Sequence, residues 1–160
     1  MAAQTGLTRA AMQLLHAHHY PVHVLTKGGT RAAADFDILG ARPGDAFGAA
    51  LTFADPDDSA AWEPNAAPPD DRLEALSLAH ERGIRTWATV QPVIDPEQSL
   101  ELIRRAHRYV DVFRLGRWNE DARADDIDWA AFGRRAVDLL EALGKEYYLK
   151  QDLQARMVQR

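Results

Sequence analysis

The chain has 160 residues, 46% of them hydrophobic and 27% charged, the balance of one soluble globular domain with enough apolar material for a core. It contains no cysteine, which excludes a disulfide, a thiolate zinc site, a cysteine nucleophile and an iron-sulfur cluster held by its own thiolates. Nineteen Lys+Arg against 24 Asp+Glu give a net charge of -5, so composition offers no footprint for autonomous binding to duplex nucleic acid or an anionic membrane, although a local basic groove stays open.

In chain order, the first element is a helix from about Thr8 to His18, with Thr8 as cap and Leu14, Leu15 and neighbouring alanines on its apolar side. Tyr20-Pro21 ends it. Val22 to Thr26 reads as a strand, followed by Lys27-Gly28-Gly29 and by Thr30 placed to cap a short helix through Leu39. A second apolar run, Ala46 to Phe53, leads into Asp55-Pro56-Asp57-Asp58, read as a solvated acidic loop rather than a calcium site because it lacks the twelve-residue ligand pattern. A helix starts near Asp70 and stops at Gly83, and Thr86 to Ile94 is a third strand. Asp95-Pro96-Glu97-Gln98 is a helix start with a capping carboxylate and proline at the first helical position. Val110 to Leu115 is a fourth strand. Asp128 caps a helix whose Trp129, Phe132, Ala136, Leu139, Leu140 and Leu143 follow helical spacing up to Gly144, and Tyr147-Tyr148-Leu149 makes a short fifth strand.

Buried-looking strands alternating with amphipathic helices predict an α/β fold, a partial (β/α) barrel with four or five mainly parallel strands and flanking helices, forming a single domain over residues 1–160. A closed eight-stranded barrel takes about 250 residues, so an exposed sheet edge is expected, together with a partner to cover it. No apolar run approaches the roughly 20 residues needed to cross a bilayer, and the N-terminus lacks the order of a secretory signal; the expected compartment is the cytoplasm.

One ordered series of short pieces adds to this. Pro21-Val22-His23-Val24-Leu25-Thr26-Lys27, Asp35-Phe36-Asp37-Ile38-Leu39, Glu63-Pro64 with Pro68 and Arg72-Leu73, Gly83-Ile84 and Val90-Gln91-Pro92-Val93-Ile94 are followed by Leu115-Gly116-Arg117-Trp118-Asn119, Ile127-Asp128-Trp129 and Tyr147-Tyr148-Leu149-Lys150 with Asp152-Leu153. No piece is diagnostic alone. In this order, from about Thr8 to Leu153, they resemble the later part of radical S-adenosylmethionine proteins, in particular the group of spore photoproduct lyase and the DNA repair photolyase-like proteins. That family holds a [4Fe-4S] cluster on three closely spaced cysteines after its first strand, and this chain has none of them. Gln91 also departs from the relatives, which often carry Glu before Pro-Val.

The resemblance implies S-adenosylmethionine as cofactor and a [4Fe-4S] cluster that this chain alone does not bind. It further implies a cysteine-bearing N-terminal half as partner; a homo-oligomer is the other expected assembly. No membrane partner is expected, and nucleic acid enters by family analogy only. Three origins stay open: one chain of a split enzyme, a sequence lacking its first half, or a descendant without redox chemistry.

On the cofactor side, the resemblance places Lys27 against the carboxylate of S-adenosylmethionine, Thr52 near a ribose hydroxyl and Gln91 under the adenine, between Val90 and Val93. A solvated lysine before a Gly-Gly turn and a threonine serving simply as a β-former are the plain alternatives. Gln91 is the more informative position, because a mid-strand amide needs a partner. Glu63 and Asn119 are the substrate-side candidates, with loop rigidity the alternative for Glu63. No catalytic residue is assigned.

His16, His18, His19 and His23 are the densest histidine group, but Pro21 separates a helix end from a strand, so no convergent metal site is expected. There is no Gly-x-Ser-x-Gly elbow, no Gly-x-x-x-x-Gly-Lys loop and no Gly-x-Gly-x-x-Gly turn. The leading reading is therefore the S-adenosylmethionine- and substrate-facing part of a radical S-adenosylmethionine enzyme. A noncatalytic half-barrel scaffold is the alternative, and a metal-assisted hydrolase is disfavoured by ligand spacing.

Overall fold

A computed structural model describes residues 6–119 and 121–158. Five strands form one sheet: β1 (His23–Thr26), β2 (Ala46–Ala50), β3 (Arg85–Val93), β4 (Val112–Arg117) and β5 (Glu146–Leu149). They lie side by side in sequence order, and all four pairings are parallel. Strand order that never reverses, with helical segments in the crossovers, is the winding of a barrel and not that of a doubly wound open sheet. The fold is thus the α/β partial barrel expected from the alternating pattern.

The helices are α1 (Leu7–Ala17), α2 (Pro56–Trp62), α3 (Pro69–Glu81), α4 (Pro96–Ala106), α5 (Trp129–Ala142) and α6 (Gln151–Val158), with 3-10 turns at Gly29–Asp35 and Ala122–Asp126. Their starts follow from local chemistry. Asp95 accepts from the amides of Glu97 and Gln98, and Asp128 accepts from that of Ala131, satisfying donors that the first helical turn leaves without partners. Gly83 and Gly144 follow the helix ends with φ of 73° and 64°, the left-handed geometry of a C-terminal cap.

One sheet face is covered. Phe47, Ala88, Val90, Phe113 and Leu115 are fully buried under the apolar stripes of α3, α4 and α5, from Leu76 and Ile103 to Ala136 and Leu140. The opposite, concave face has no helix on it among the described residues and forms an open groove of about 750 Å³. No described helix is long and apolar enough to cross a membrane.

Several local expectations are corrected. The run at Asp55 is a helix start: Asp55 accepts from the amides of Asp57 and Asp58 at 2.8 and 3.0 Å, and Pro56 opens α2. The helix expected from Thr30 through Leu39 is a 3-10 turn ending at Asp35. Thr30 does not cap it; its hydroxyl donates instead to Asp71 at 2.6 Å, tying the turn to α3. β4 begins at Val112 because Asp111 is committed to accepting from the Thr86 amide at 2.7 Å. α6 follows β5 after a single residue, Lys150, and has no counterpart among the elements expected from the sequence.

Candidate functional site

The carboxyl ends of β1 and β2 open onto one compact polar cluster centred on Glu63. Glu63 is the residue at which α2 stops; its amide donates to Ser59 at 2.8 Å, and Pro64 follows. This places its carboxylate against the strand ends, with the side chain only 6% exposed. Lys27, the first residue beyond β1, brings Nζ to 2.6 Å from Oε1, and Thr52, two residues beyond β2, donates its hydroxyl to the same oxygen at 2.9 Å. Arg72 reaches Oε2 at 2.7 Å, and the Ser59 hydroxyl donates to it at 3.3 Å.

Arg72 is the anchor. Its side chain is 1% exposed, and the guanidinium also donates through Nε to the carbonyl of Ala67 at 2.6 Å, through Nη1 to that of Ala50 at 3.0 Å and through Nη2 to Ser59 Oγ at 3.1 Å. A buried guanidinium with this set of acceptors is a fixed positive charge. Burial pushes the Glu63 carboxyl up, but hydrogen bonds from Arg72 and Lys27, the charge of Arg72 and the Thr52 hydroxyl outweigh it and hold the group below its ordinary range. Glu63 is therefore an anion between two cations, and the cluster carries a net positive charge whose wet end is Lys27, 43% exposed.

The loop that carries Lys27 is built to stay there. The Lys27 carbonyl accepts from the amide of Ala67 at 2.8 Å, so the segment after α2 is stitched to the end of β1. Gly29 has φ of 62°, and a Cβ on it would lie 2.7 Å from that of Ala67 and inside the Asp71 carboxylate.

Three of the five sequence-derived site residues, Lys27, Thr52 and Glu63, are thus brought together. Gln91 is placed elsewhere, on the concave face beside Lys150, where Gly116 makes room: a Cβ at Gly116 would lie 2.9 Å from the Cδ of each. Asn119 is exposed beyond β4 and donates to Asp152 of α6 at 2.8 Å. Its neighbour Trp118 packs edge-on against Trp62, the residue before Glu63, with ring centroids 5.7 Å apart and the Arg123 guanidinium lying against both rings, 5.0 and 4.8 Å from their centroids. Among the histidines, His16 Nε2 meets buried Asp45 at 3.1 Å and His23 Nε2 meets the Gly44 carbonyl at 3.0 Å.

Arg72 and Ser59 had no role assigned from sequence. A signal for Arg72 existed: it shares the stripe of Ala75, Leu76 and Ala79, where a charge at a core position demands a buried acceptor.

The partial-barrel architecture of this sheet is shared by several solved structures. Streptococcus suis SuiB bound to S-adenosylmethionine superposes with a TM-score of 0.67 at 13% identity over 87% of this chain and 35% of SuiB. SuiB bound to the precursor peptide SuiA gives 0.67 at 12% identity, over 87% of this chain and 34% of that one. A domain of pyruvate-formate lyase-activating enzyme from Bacteroides vulgatus gives 0.63 at 12% identity and covers 88% of each chain. The chain spans about a third of the length of SuiB. No protein-family model and no curated protein sequence matches it.

Proposed function

We propose that this chain is the S-adenosylmethionine- and substrate-facing part of a radical S-adenosylmethionine enzyme, similar to the spore photoproduct lyase group, with its cluster held by a second, cysteine-bearing half. The observation that carries this reading is the convergence of Lys27, Thr52 and Glu63 on one point at the carboxyl ends of the strands, where parallel α/β folds place their ligands. The fold adds support, since SuiB, part of which superposes on this chain, has been crystallised bound to S-adenosylmethionine.

The donor set suits the amino-acid and ribose portions of that molecule: an ammonium, a hydroxyl and a carboxylate lie within one cluster. It does not suit a cluster of iron, because the sequence has no thiolate. When bound, S-adenosylmethionine and the cluster supply homolytic chemistry. This chain's residues bind and orient. Lys27 offers its charge to a carboxylate, Glu63 holds the ammonium in place, Arg72 fixes Glu63, and Gln91 contributes the floor of the groove. Asn119, on the rim beside Trp118, is the substrate-side contact. A nucleic-acid substrate is the version that the family analogy suggests, and the cytoplasm is the proposed compartment.

Calorimetric titration of S-adenosylmethionine into the chain tests this. Lys27→Ala should weaken binding several-fold, about 1 kcal/mol for a partly exposed pair. Equal affinity in the two proteins removes the assignment of Lys27, and no binding by the wild type, alone or with its cysteine-bearing half, favours a scaffold over an enzyme.

A further inference from the structure

The concave groove divides by strand. Lys27, Thr52 and Gln91, the cofactor-side residues, stand on or just beyond β1, β2 and β3, which leaves the β4–β5 side of the groove without an assigned ligand. Strand alternation turns Arg114 and Gly116 of β4, with Tyr148 and Lys150 at β5, toward this side, while Phe113, Leu115 and Leu149 enter the core. The register arranges them in two levels. Thr89, Arg114 and Tyr148 pair across β3, β4 and β5. One step nearer the carboxyl ends, Lys150 is fixed by its amide, which donates to the Leu115 carbonyl at 2.9 Å, and it lays its side chain over Gly116 beside Gln91. Two residues along a strand span about 7 Å, so one small multivalent anion can bridge the two levels.

The charges there are not balanced within the groove. Toward the amino ends Arg85 has Glu146 at 3.1 Å, and at the rim Lys27 has Glu63 at 2.6 Å. Arg114 and Lys150 have no carboxylate within ion-pair reach among the described residues; Arg114 is steadied by the Trp87 ring, with Cζ 4.3 Å from the centroid. A ring contact is not a hydrogen bond, so the guanidinium keeps its donor fork for an incoming oxyanion. The hydroxyl residues Thr89 and Tyr148 flank it in the sheet, and a concave wall of one sign focuses its field on whatever enters.

We propose that the β4–β5 side of the groove is a subsite for a small acidic molecule, whose carboxylate or phosphate group is bound by Arg114 and Lys150 beside the cofactor position. The oxyanion site is read from this chain alone; that its occupant is the substrate rests on the proposed function.

Citrate and inorganic pyrophosphate serve as the carboxylate and phosphate probes, each titrated calorimetrically into the full chain at low ionic strength. At least one should bind at one equivalent, and the tighter of the two identifies the oxyanion. Arg114→Gln and Lys150→Gln should each weaken that binding about tenfold, as loss of a charged hydrogen bond does. Lys150→Arg should keep it within a few-fold, and Arg134→Gln, the same loss of charge on the exposed side of α5, should leave it unaltered. Binding should also shift the tryptophan emission of the wild type but not of Trp87→Phe, because Arg114 rests on that ring. No binding of either anion overturns the proposal, as does a loss with Arg134→Gln equal to that with Arg114→Gln. Displacement of the bound anion by S-adenosylmethionine also overturns it, since the two cations would then belong to the cofactor. The two readings separate cleanly: Lys27→Ala should weaken S-adenosylmethionine and spare the anion, and Arg114→Gln should do the reverse. S-adenosylmethionine binding without anion binding removes only the subsite, and anion binding without S-adenosylmethionine binding removes only the enzyme.

Discussion

Lys27 Nζ and Glu63 Oε1 lie 2.6 Å apart, and only one end of this pair is wet: the lysine is 43% exposed while the glutamate is 6% exposed. The asymmetry sets the division of labour in the cluster. Glu63 is held from beneath by Arg72 and from the side by Thr52, so its position does not depend on Lys27. Lys27 can then turn toward a ligand without leaving a buried carboxylate uncompensated, because Arg72 remains against Oε2.

The first prediction follows from that anchor. Arg72→Met should destabilise the fold by about 3–5 kcal/mol, the cost of removing the buried partner of a buried carboxylate and leaving it only the half-exposed Lys27 ammonium. It also removes donors from the carbonyls of Ala50 and Ala67. Lys27→Ala, at the wet end, should cost no more than about 1 kcal/mol. Urea unfolding of the two variants measures the difference directly. Comparable losses would mean that Arg72 is not the anchor.

The second concerns acid. The Glu63 carboxyl is held below its ordinary value of 4.5 in the folded state, so in acid the unfolded chain binds the proton more readily than the folded one. The resulting stability is fully present above the unfolded value and is lost as pH falls through the folded one. Glu63→Gln should be less stable than the wild type at neutral pH, and the gap should close on acidification below about pH 4.5 as the wild-type carboxylate takes up its proton. Exposed carboxylates such as Asp121, lowered to about 2 by hydrogen bonds from Arg123, contribute equally to both proteins and cancel in the comparison. Thermal unfolding in steps from neutral to acid pH provides the curves. A gap that stays constant with pH would show that Glu63 contributes no proton linkage.

Much of this architecture was legible because it rests on local chemistry. Asp95-Pro96 and Asp128 announced α4 and α5, and Gly83 and Gly144 marked helix ends, since each satisfies or terminates backbone geometry within a few residues. The same Asp-Pro signal stands at Asp55, but α2 has only seven residues and no apolar period long enough to register, so the sequence does not separate it from an acidic loop. At the site, Lys27, Thr52 and Glu63 were legible one by one, through strand-end placement and the family resemblance. Their convergence was not, because it depends on α2 folding back over the strand ends. Arg72 escaped for the opposite reason: its meaning lies entirely in what it is buried against. The separation of Gln91 from the cluster likewise follows from which sheet face its strand position presents.

The third prediction concerns the seat of Trp87. Gly48 pairs with Trp87 across β2 and β3, and a Cβ at residue 48 would lie 2.6 Å from the indole Nε1, closer than side chains tolerate. The ring is rigid, so it must move as a whole, and the concave groove that it lines is open to that motion. That motion would also separate the ring from the Arg114 guanidinium resting on it. Gly48→Val should therefore cost about 1–3 kcal/mol, the range for overpacking, with the lower end expected because one side of the site is open. Near-UV circular dichroism and tryptophan emission, each compared with Trp87→Phe to remove the other three tryptophans, should show a loss of the Trp87 band and a red shift. Unchanged spectra and unchanged stability would mean that the small residue in β2 is not what seats the indole.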